Sequence, residues 1–269
     1  MKRVKFFKYQ GAGNDFILLE DFNQTLNFDI RKYISFLCDR NFGIGADGLI
    51  LLQTSKIADA KMRIFNSDGG EATMCGNGLR CAVKHFEQKS VSIETLEGIA
   101  VGENEEGIVS VTLPKVEELL SPLSLSNSKI GHLFHTGVPH LVIIVDSLEV
   151  EDFEQEAKQL RYHKMFAPDG VNVSYIKEVD KDLHIRTYER GVEKETLACG
   201  TACAAATLLL RKYDKKKKSQ YRVFPKSGNA LQFTFDNQER IWMKGPAEAV
   251  FSGEIDLSKM KNNESNYIK

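Results

Sequence analysis

The sequence predicts an α+β protein of two similar halves, each a mixed β-sheet wrapped around one central helix. Segments with the apolar alternation of strands outnumber segments with helical spacing throughout the chain. Each half also contains one cysteine followed by glycine and a run of helix-forming residues, at Cys75 and at Cys199. Because strands outnumber helices, a regular alternation of strand and helix around a parallel sheet is not expected.

The bulk composition limits both the partners and the location of the chain. Its 269 residues suffice for two domains, and its net charge of −1 provides no basic field for nucleic acid. No apolar run approaches the length of a membrane span, and no secretory h-region follows the basic start, so we expect a cytoplasmic protein. The odd count of five cysteines argues against a disulfide scaffold.

The first half contains strand patterns on either side of a turn at 11–15, a helical pattern at 30–40, and the helix after Cys75. A Ser-rich segment with Pro122, at about 115–128, indicates a domain junction. We therefore predict an N-terminal domain at 1–120, a C-terminal domain at 121–245 and a polar tail at 259–269. Strands are predicted in the first half at 4–10, 16–20, 48–53, 60–66, 90–98 and 107–114.

The second half repeats this pattern of many strands and few helices. One helix is predicted at about 151–162 and another after Cys199. The second helix is small or apolar nearly all round, from Ala202 to Leu210, which predicts a buried position. Strands are predicted at 132–137, 141–146, 171–178, 183–189, 221–227, 230–235, 240–245 and 247–256.

The position of Cys75 and Cys199 at two helix N-termini has chemical consequences. The partial positive charge of a helix N-terminus favours a thiolate, so we expect thiol pKa values lowered toward neutrality. The unpaired N–H groups of the next residues can hold a carboxylate or a phosphate. Two such motifs, one in each half, predict that two helix ends converge on a single anion with a thiol on either side. Those N–H groups belong to Gly76, Asn77, Gly200 and Thr201.

Two thiols facing one carbon fit inversion of a stereocentre, because one face needs a base and the other an acid. Two other functions remain open from the residues alone. One is a cysteine hydrolase with Cys75 as nucleophile and His140 as base, and the other is a binding module whose helix ends hold an anion. With no phosphate-cradling glycine motif and no CxxC pair, neither a cofactor nor a metal is expected. Cys38, Cys81 and Cys203 are interpreted as space-filling residues.

The motifs "MCGNGLRC", "ACGTACAAA", "GAGNDFILLE", "FNSDGGEATMCGNG" and "YERGVEKETLACGT" resemble diaminopimelate epimerase. The resemblance runs from about Lys8 to Gly253. It implies a member of a PLP-independent family, related to proline racemase, that interconverts LL- and meso-2,6-diaminopimelate for lysine and peptidoglycan synthesis. It also implies two barrel-like domains with the active site in the cleft between them, and a C-terminal strand at about 246–258 that joins the first domain. The expected partner is a small amino acid, and a homodimer is left open.

The resemblance also implies roles for single residues. Cys75 and Cys199 are then the acid/base pair, and His140 and Glu189 set their ionisation. Taken alone, adjacent Glu189 and Arg190 fit a surface ion pair equally well, and Asn14 fits a turn. The resemblance assigns recognition of the distal end of the substrate to Asn14, Asn66, Asn172, Glu189 and Arg190.

Three departures from the family pattern bear on specificity or on the second helix. Val138 stands where the family usually has asparagine, and Gly48 where many members have glutamine. The motif before Cys199 carries an extra residue, and Ala202 replaces a glycine. Valine cannot form a side-chain hydrogen bond, so we predict looser selection at the distal end of the substrate. A proline, hydroxyproline or glutamate racemase of the same superfamily remains the nearest alternative.

Overall fold

The computed structural model describes residues 3–23, 26, 28–125, 129–215 and 218–258, so the predicted polar tail at 259–269 lies outside the described residues. Within those residues, 18 strands form one continuous sheet, and four α-helices pack against it. Helix α1 follows a 3₁₀ turn at Ile30–Tyr33. The first half comprises β1 (Arg3–Gly11), β2 (Asn14–Asp21), α1 (Ile34–Cys38), β3 (Gly48–Gln53), β4 (Ala60–Asn66), β5 (Glu71–Ala72), α2 (Gly76–His85), β6 (Ser90–Thr95), β7 (Gly98–Glu105) and β8 (Ile108–Thr112).

The second half has the same order of elements. Its two helices occupy the positions that α1 and α2 occupy in the first half. It comprises β9 (Glu117–Ser124), β10 (Ile130–His135), β11 (Pro139–Ile144), α3 (Phe153–Arg161), β12 (Asn172–Val179), β13 (Asp182–Glu189), β14 (Lys194–Glu195), α4 (Gly200–Tyr213), β15 (Gln220–Phe224), β16 (Leu231–Phe235), β17 (Ile241–Pro246) and, returning to the first half, β18 (Glu248–Asp256).

Strand pairing follows one scheme in both halves. In the first half, β1 is antiparallel to β2, β2 is parallel to β3, and β4 is parallel to β6. In the second half, β10, β11, β12, β13 and β15 repeat these relations. Each half has one further outer strand: β18, from the C-terminal end of the chain, pairs with β1, and β9, which directly precedes β10, pairs with β10. The antiparallel pair β8–β17 connects the two halves into one sheet.

Each half of the sheet wraps around one helix. Helix α2 contacts β1 to β4, β7, β8 and β18, and α4 contacts β10 to β13 and β15 to β17. The buried residues of α2 run from Gly76 to Val83, and those of α4 from Gly200 to Thr207. The helices also contact each other, and both belong to one apolar cluster. The predicted α+β fold, with a central helix in each half, is therefore confirmed.

The strand pairs β2–β3 and β11–β12 are buried on both faces, as parallel strands usually are. In β2, Leu18 points toward α2, whereas Ile17 and Leu19 pack with α1 on the outer face. Helix α3 covers β11 and β12 in the same way. These segments are continuous apolar runs because neither face of these strands meets water.

Several local features differ from the sequence prediction, and β5, β7 and β14 are strands that it did not include. The predicted helix at 30–40 begins as the 3₁₀ turn and ends at Cys38, where the backbone of Asp39 becomes extended. The segment predicted as a junction contains the mostly exposed strand β9. Pro122 is compatible with this strand because an edge strand needs no donor on its outer side. No described helix is long and apolar enough to cross a membrane.

Candidate active site at two helix ends

Both central helices begin where the cysteine motifs predict. Cys75 precedes α2 with extended backbone, and its Sγ accepts a hydrogen bond from the Gly78 N–H at 3.4 Å. Cys199 precedes α4 with extended backbone as well, and the Ala202 N–H and the Thr201 hydroxyl both favour its thiolate. The carbonyl oxygens of both cysteines accept the first helical hydrogen bonds. Each thiol therefore lies at the positive end of a buried helix.

The two helix ends meet at Met243 of β17. A Cβ atom on Gly76 would lie 2.4 Å from Met243 Cε, and one on Gly200 would lie 3.0 Å from Met243 Sδ. Asn77 Nδ2 donates across the junction to the carbonyl oxygen of Ala198, at 3.3 Å. The glycines after both cysteines therefore allow the two helix ends to pack around one methionine.

Glu189, at the end of β13, interacts with both thiols. Its carboxylate accepts hydrogen bonds from Thr196 Oγ1 and from Cys199, and its charge raises the pKa of Cys75 as well as that of Cys199. Burial raises the pKa of Glu189 itself to about 7. A carboxyl group with this pKa can both accept and release a proton near neutral pH.

The predicted lowering of the thiol pKa values is wrong. Burial raises the pKa of Cys75 to about 11, although the N–H groups of Gly78 and Asn77 and the charge of Arg80 act in the opposite direction. The pKa of Cys199 lies well above its ordinary value because of burial and the charge of Glu189. Loss of water around a thiolate thus outweighs the helix N-terminus at both positions.

The other three cysteines lie within helices and not at a helix N-cap position. Burial raises the pKa of Cys38, Cys81 and Cys203 to about 12. All three are buried among apolar side chains in the hydrophobic clusters. This environment is typical of inert, space-filling cysteines.

A chain of hydrogen bonds connects His140 with Cys199. His140 Nε2 lies 3.0 Å from Thr201 Oγ1, which lies 3.3 Å from Cys199 Sγ. Asn172 Nδ2 donates to His140 Nε2 at 3.3 Å, so the neutral ring carries its proton on Nδ1. Burial and the charge of Arg190 lower the pKa of His140 to about 3. His140 is therefore a neutral ring that contacts Thr201.

Asn14, Asn172 and Arg190 also lie in this region. Asn14 Oδ1 is 3.9 Å from Cys75 Sγ. Asn172 Oδ1 accepts a 2.7 Å hydrogen bond from the backbone N–H of Arg190. Within the described part of the chain, the Arg190 guanidinium pairs with no carboxylate, so Glu189 and Arg190 do not form the surface ion pair that the sequence left open.

Asn66 is the predicted site residue that the structure connects least with the others. It lies exposed at the end of β4, opposite Gly48 in the ladder with β3. Among the hydrogen bonds of the described residues, only its backbone takes part.

Two of the three departures from the family pattern, Gly48 and Val138, lie at different places. A Cβ atom on Gly48 would lie 2.5 Å from the carbonyl oxygen of Phe65, so any side chain there requires a backbone shift. Val138 lies in the turn between β10 and β11, where its carbonyl accepts from the Thr136 N–H at 3.0 Å.

Sequence reasoning gave no role to three residues that the structure places here. Asp47 accepts a 2.7 Å hydrogen bond from Asn14 Nδ2, Arg80 donates to Asn77 Oδ1 at 3.0 Å, and Met243 separates the helix ends. A signal for Arg80 was present, because it is a lone cation on an otherwise apolar stretch of helix.

Comparison with known proteins identifies the family. A family model described as diaminopimelate epimerase matches residues 6–115 and 133–250. The chain belongs to the diaminopimelate epimerase family. It is 39% identical over 267 residues to a diaminopimelate epimerase of Flavobacterium psychrophilum, which covers 94% of this chain and 100% of the relative. It is 37% identical over 278 residues to one of Methanocella arvoryzae, covering 96% and 98%. The family predicted from the motifs is confirmed.

Solved structures of lower identity share the fold. A PhzF-family phenazine biosynthesis protein of Bacillus anthracis has a TM-score of 0.73 at 18% identity and covers 95% of this chain and 100% of its own. A hydroxyproline epimerase of Agrobacterium vitis, solved with bound trans-4-hydroxy-L-proline, has a TM-score of 0.70 at 15% identity, covering 95% and 91%. At these identities the likeness establishes the fold alone.

Proposed function

We propose that this family member interconverts LL- and meso-2,6-diaminopimelate for lysine and peptidoglycan precursor synthesis, with Cys75 and Cys199 as its acid/base pair. The observation that carries this proposal is the meeting of the two cysteine-capped helix ends around Met243 and Asn77. Each half of the molecule contributes one thiol. A stereocentre between these ends has a proton donor or acceptor on each face, which inversion requires.

The carboxylate at the reacting carbon is held by the N–H groups that follow the cysteines. These belong to Gly76 and Asn77 in α2 and to Gly200 and Thr201 in α4. When the α-carbon loses its proton, negative charge moves onto this carboxylate. Donors fixed in advance by two helices stabilise that charge more than they stabilise the ground state.

Both thiols are neutral at pH 7 in the geometry described, so catalysis needs one proton to leave. Glu189 accepts a hydrogen bond from Cys199 and has a pKa of about 7, which makes it the acceptor for that proton. The α-ammonium group of an entering substrate also brings positive charge close to the thiols. An opposite charge within about 4–6 Å favours the thiolate. Proton transfer then proceeds from the α-carbon to one sulfur and from the other sulfur to the α-carbon.

The far end of the substrate is recognised by Arg190 and the three asparagines. The guanidinium of Arg190 can bind the distal carboxylate in a bidentate manner. Asn14, Asn66 and Asn172 supply amide donors and acceptors for the distal ammonium and carboxylate. Val138 lacks such a group, and Gly48 has no room for one. Selection at the distal end is therefore looser than in members that have asparagine and glutamine there.

The hydrolase alternative fits the observed contacts less well. It needs His140 as a base for Cys75, but His140 contacts Thr201 and Asn172. A ring with a pKa of about 3 is also a weak base at neutral pH.

The decisive experiment is incorporation of deuterium from D₂O at the α-carbon of diaminopimelate. We expect wild type to exchange, and Cys75→Ala and Cys199→Ala each to lose overall epimerisation by at least about 10³-fold, because each removes one proton-transfer group. Cys38→Ala is the matched control, since Cys38 is a buried cysteine at the end of α1, in the apolar cluster on the outer face of the sheet. Exchange that requires only one of the two cysteines would contradict the two-base mechanism.

The looser distal selection has its own test. We expect measurable racemisation of glutamate and other amino acids with one stereocentre, and a lower kcat/KM ratio between diaminopimelate and glutamate than in the Val138→Asn variant. Strict rejection of every single-centre amino acid would contradict this part of the proposal while leaving the thiol roles intact.

A further inference from the structure

Arg80 is a buried cation without a counter-ion. Its side chain is fully buried in α2, and within the described residues no carboxylate pairs with it. It donates instead to Asn77 Oδ1 at 3.0 Å, to the Pro246 carbonyl at 3.3 Å and to Met243 Sδ at 3.3 Å. Burying an uncompensated charge is costly, so its presence calls for a functional reason.

The surrounding backbone leaves space for this guanidinium. A Cβ atom on Gly11 of β1 would lie 3.4 Å from Arg80 Nη2, and one on Gly245 of β17 would lie 3.3 Å from Arg80 Cζ. Two strands therefore lack side chains where the guanidinium lies. Its position is determined by packing on two sides as well as by its hydrogen bonds.

A hydrogen-bond chain that begins at Arg80 runs through the candidate site. Arg80 can only donate, so it fixes Asn77 with Oδ1 toward the guanidinium. Asn77 Nδ2 must then donate, and it does so to Asn14 Oδ1 at 3.2 Å and to the Ala198 carbonyl. Asn14 Nδ2 in turn donates to Asp47 Oδ2 at 2.7 Å. Arg80 at one end and Asp47 at the other therefore orient the side-chain amides of Asn77 and Asn14 in the same direction.

This chain contacts both thiol positions. Asn14 Oδ1 lies 3.9 Å from Cys75 Sγ, and Ala198 directly precedes Cys199. We propose that Arg80 is a positioning residue for the epimerisation: its buried guanidinium fixes the Asn77–Asn14 amide chain that aligns the two helix ends and places positive charge behind Cys75. This inference rests on the proposed roles of the two cysteines.

The charge of Arg80 acts on the thiolate of Cys75 in a defined environment. The groups that interact electrostatically with Cys75 are Arg80 and Cys81, from the helix it precedes, and Glu189 of β13. Those that interact with Arg80 are the thiols of Cys75, which precedes α2, of Cys81 in α2 and of Cys203 in α4. Arg80 lowers the pKa of Cys75, while Glu189 raises it. Removal of the guanidinium charge should therefore move thiolate formation at Cys75 to higher pH.

The test compares Arg80→Gln, Arg80→Lys and the matched control Arg211→Gln. Arg211 is another largely buried arginine, but it lies in the last turn of α4 and pairs with Glu239. The measurements are kcat and KM for diaminopimelate, the melting temperature, and the pH dependence of Cys75 alkylation by iodoacetamide, followed by peptide mass spectrometry.

For Arg80→Gln we expect kcat to fall by at least about 100-fold with little change in KM, because fixed donors act mainly on the transition state. We also expect its Cys75 alkylation profile to move to higher pH, because a charge that favours the thiolate is lost. Arg80→Lys keeps the charge and one donor, so its alkylation profile should stay near that of wild type and its loss of kcat should be smaller. Arg211→Gln should change neither quantity.

A folded Arg80→Gln variant with unchanged kcat and an unchanged alkylation profile would overturn the proposal. If Arg80→Gln does not fold, Arg80→Lys decides: a loss of kcat that only follows its melting temperature would make Arg80 merely structural. The alkylation of Cys75 is measured without substrate, so it does not depend on whether the enzyme turns over. Failure of the two-base mechanism would appear in the Cys75→Ala and Cys199→Ala variants, and it is therefore distinguishable from failure of this inference.

Discussion

The two halves of the molecule repeat one pairing scheme, yet the two helix ends that they bring together differ in their electrostatics. At the start of α2, Cys75 accepts a hydrogen bond from its own helix, and the guanidinium of Arg80 lies behind it. At the start of α4, Cys199 interacts with the Ala202 N–H of its own helix as well, but it also hydrogen-bonds to the carboxylate of Glu189. A repeated fold has thus produced two unequal thiols. The carboxylate of Glu189 raises the pKa of both thiols, and only at Cys75 does a cation, Arg80, act in the opposite direction.

This inequality suits a two-base reaction. A pair of thiolates could not donate a proton, and a pair of thiols could not remove one. Burial and Glu189 raise the pKa of both thiols, but Arg80 opposes this at Cys75 alone, so the two thiols differ in their electrostatics before substrate enters. The difference between the two halves is therefore a property of a few side chains and not of the shared backbone plan.

The largest effect that would test this comparison is expected for Glu189→Gln. Loss of the proton acceptor should lower kcat by about 10²–10⁴-fold. In wild type, kcat should rise with pH through about 7, where Glu189 becomes a carboxylate, and this rise should be absent in the variant. Glu178→Gln, at the exposed end of β12, is a suitable control.

The same substitution should lower activity but make the folded protein less sensitive to rising pH. The pKa of Glu189 is higher in the folded protein than in the unfolded chain, so its contribution is fully present below the unfolded pKa and is lost as pH rises through about 7. Compared with Glu189→Gln, wild type should thus lose melting temperature between pH 5 and pH 8. If the melting temperatures of wild type and Glu189→Gln changed equally between pH 5 and pH 8, the buried position of the carboxylate would be contradicted.

A smaller effect should distinguish the two glycines that follow the cysteines. In Gly76→Ala, the new Cβ would lie 2.4 Å from Met243 Cε, whereas in Gly200→Ala it would lie 3.0 Å from Met243 Sδ. We expect Gly76→Ala to lower the free energy of unfolding by about 1–3 kcal/mol, as overpacking does, and Gly200→Ala by less. Denaturant unfolding of both variants provides the measurement.

Met243→Leu supplies the matched rescue for this pair, because leucine lacks the Cε methyl group. Combined with Gly76→Ala, it should recover part of the lost stability. An equal cost at both glycines, or no recovery in the double variant, would show that Met243 does not determine how closely the two helix ends approach.

Much of the fold and of the site was predictable from local sequence. The start of α2 and the start of α4 follow from a cysteine before glycine and helix formers, and the buried α4 follows from its lack of a polar face. The strand β9 was missed because its Ser- and Pro-containing, mostly exposed sequence carries no apolar alternation. Its pairing with β10 depends on contacts that its own residues do not encode.

By itself, the sequence determined the α+β class, the family, and the two cysteine-capped helices, because these depend on neighbouring residues. Only the tertiary structure decided the ionisation of Cys75 and Cys199 and the position of Arg80. Burial is set by every strand that surrounds a helix, and the loss of hydration at both sulfurs outweighs the local attraction of a helix N-terminus for negative charge. The sequence therefore shows that both thiols start a helix, whereas the surrounding fold decides that both stay protonated at neutral pH.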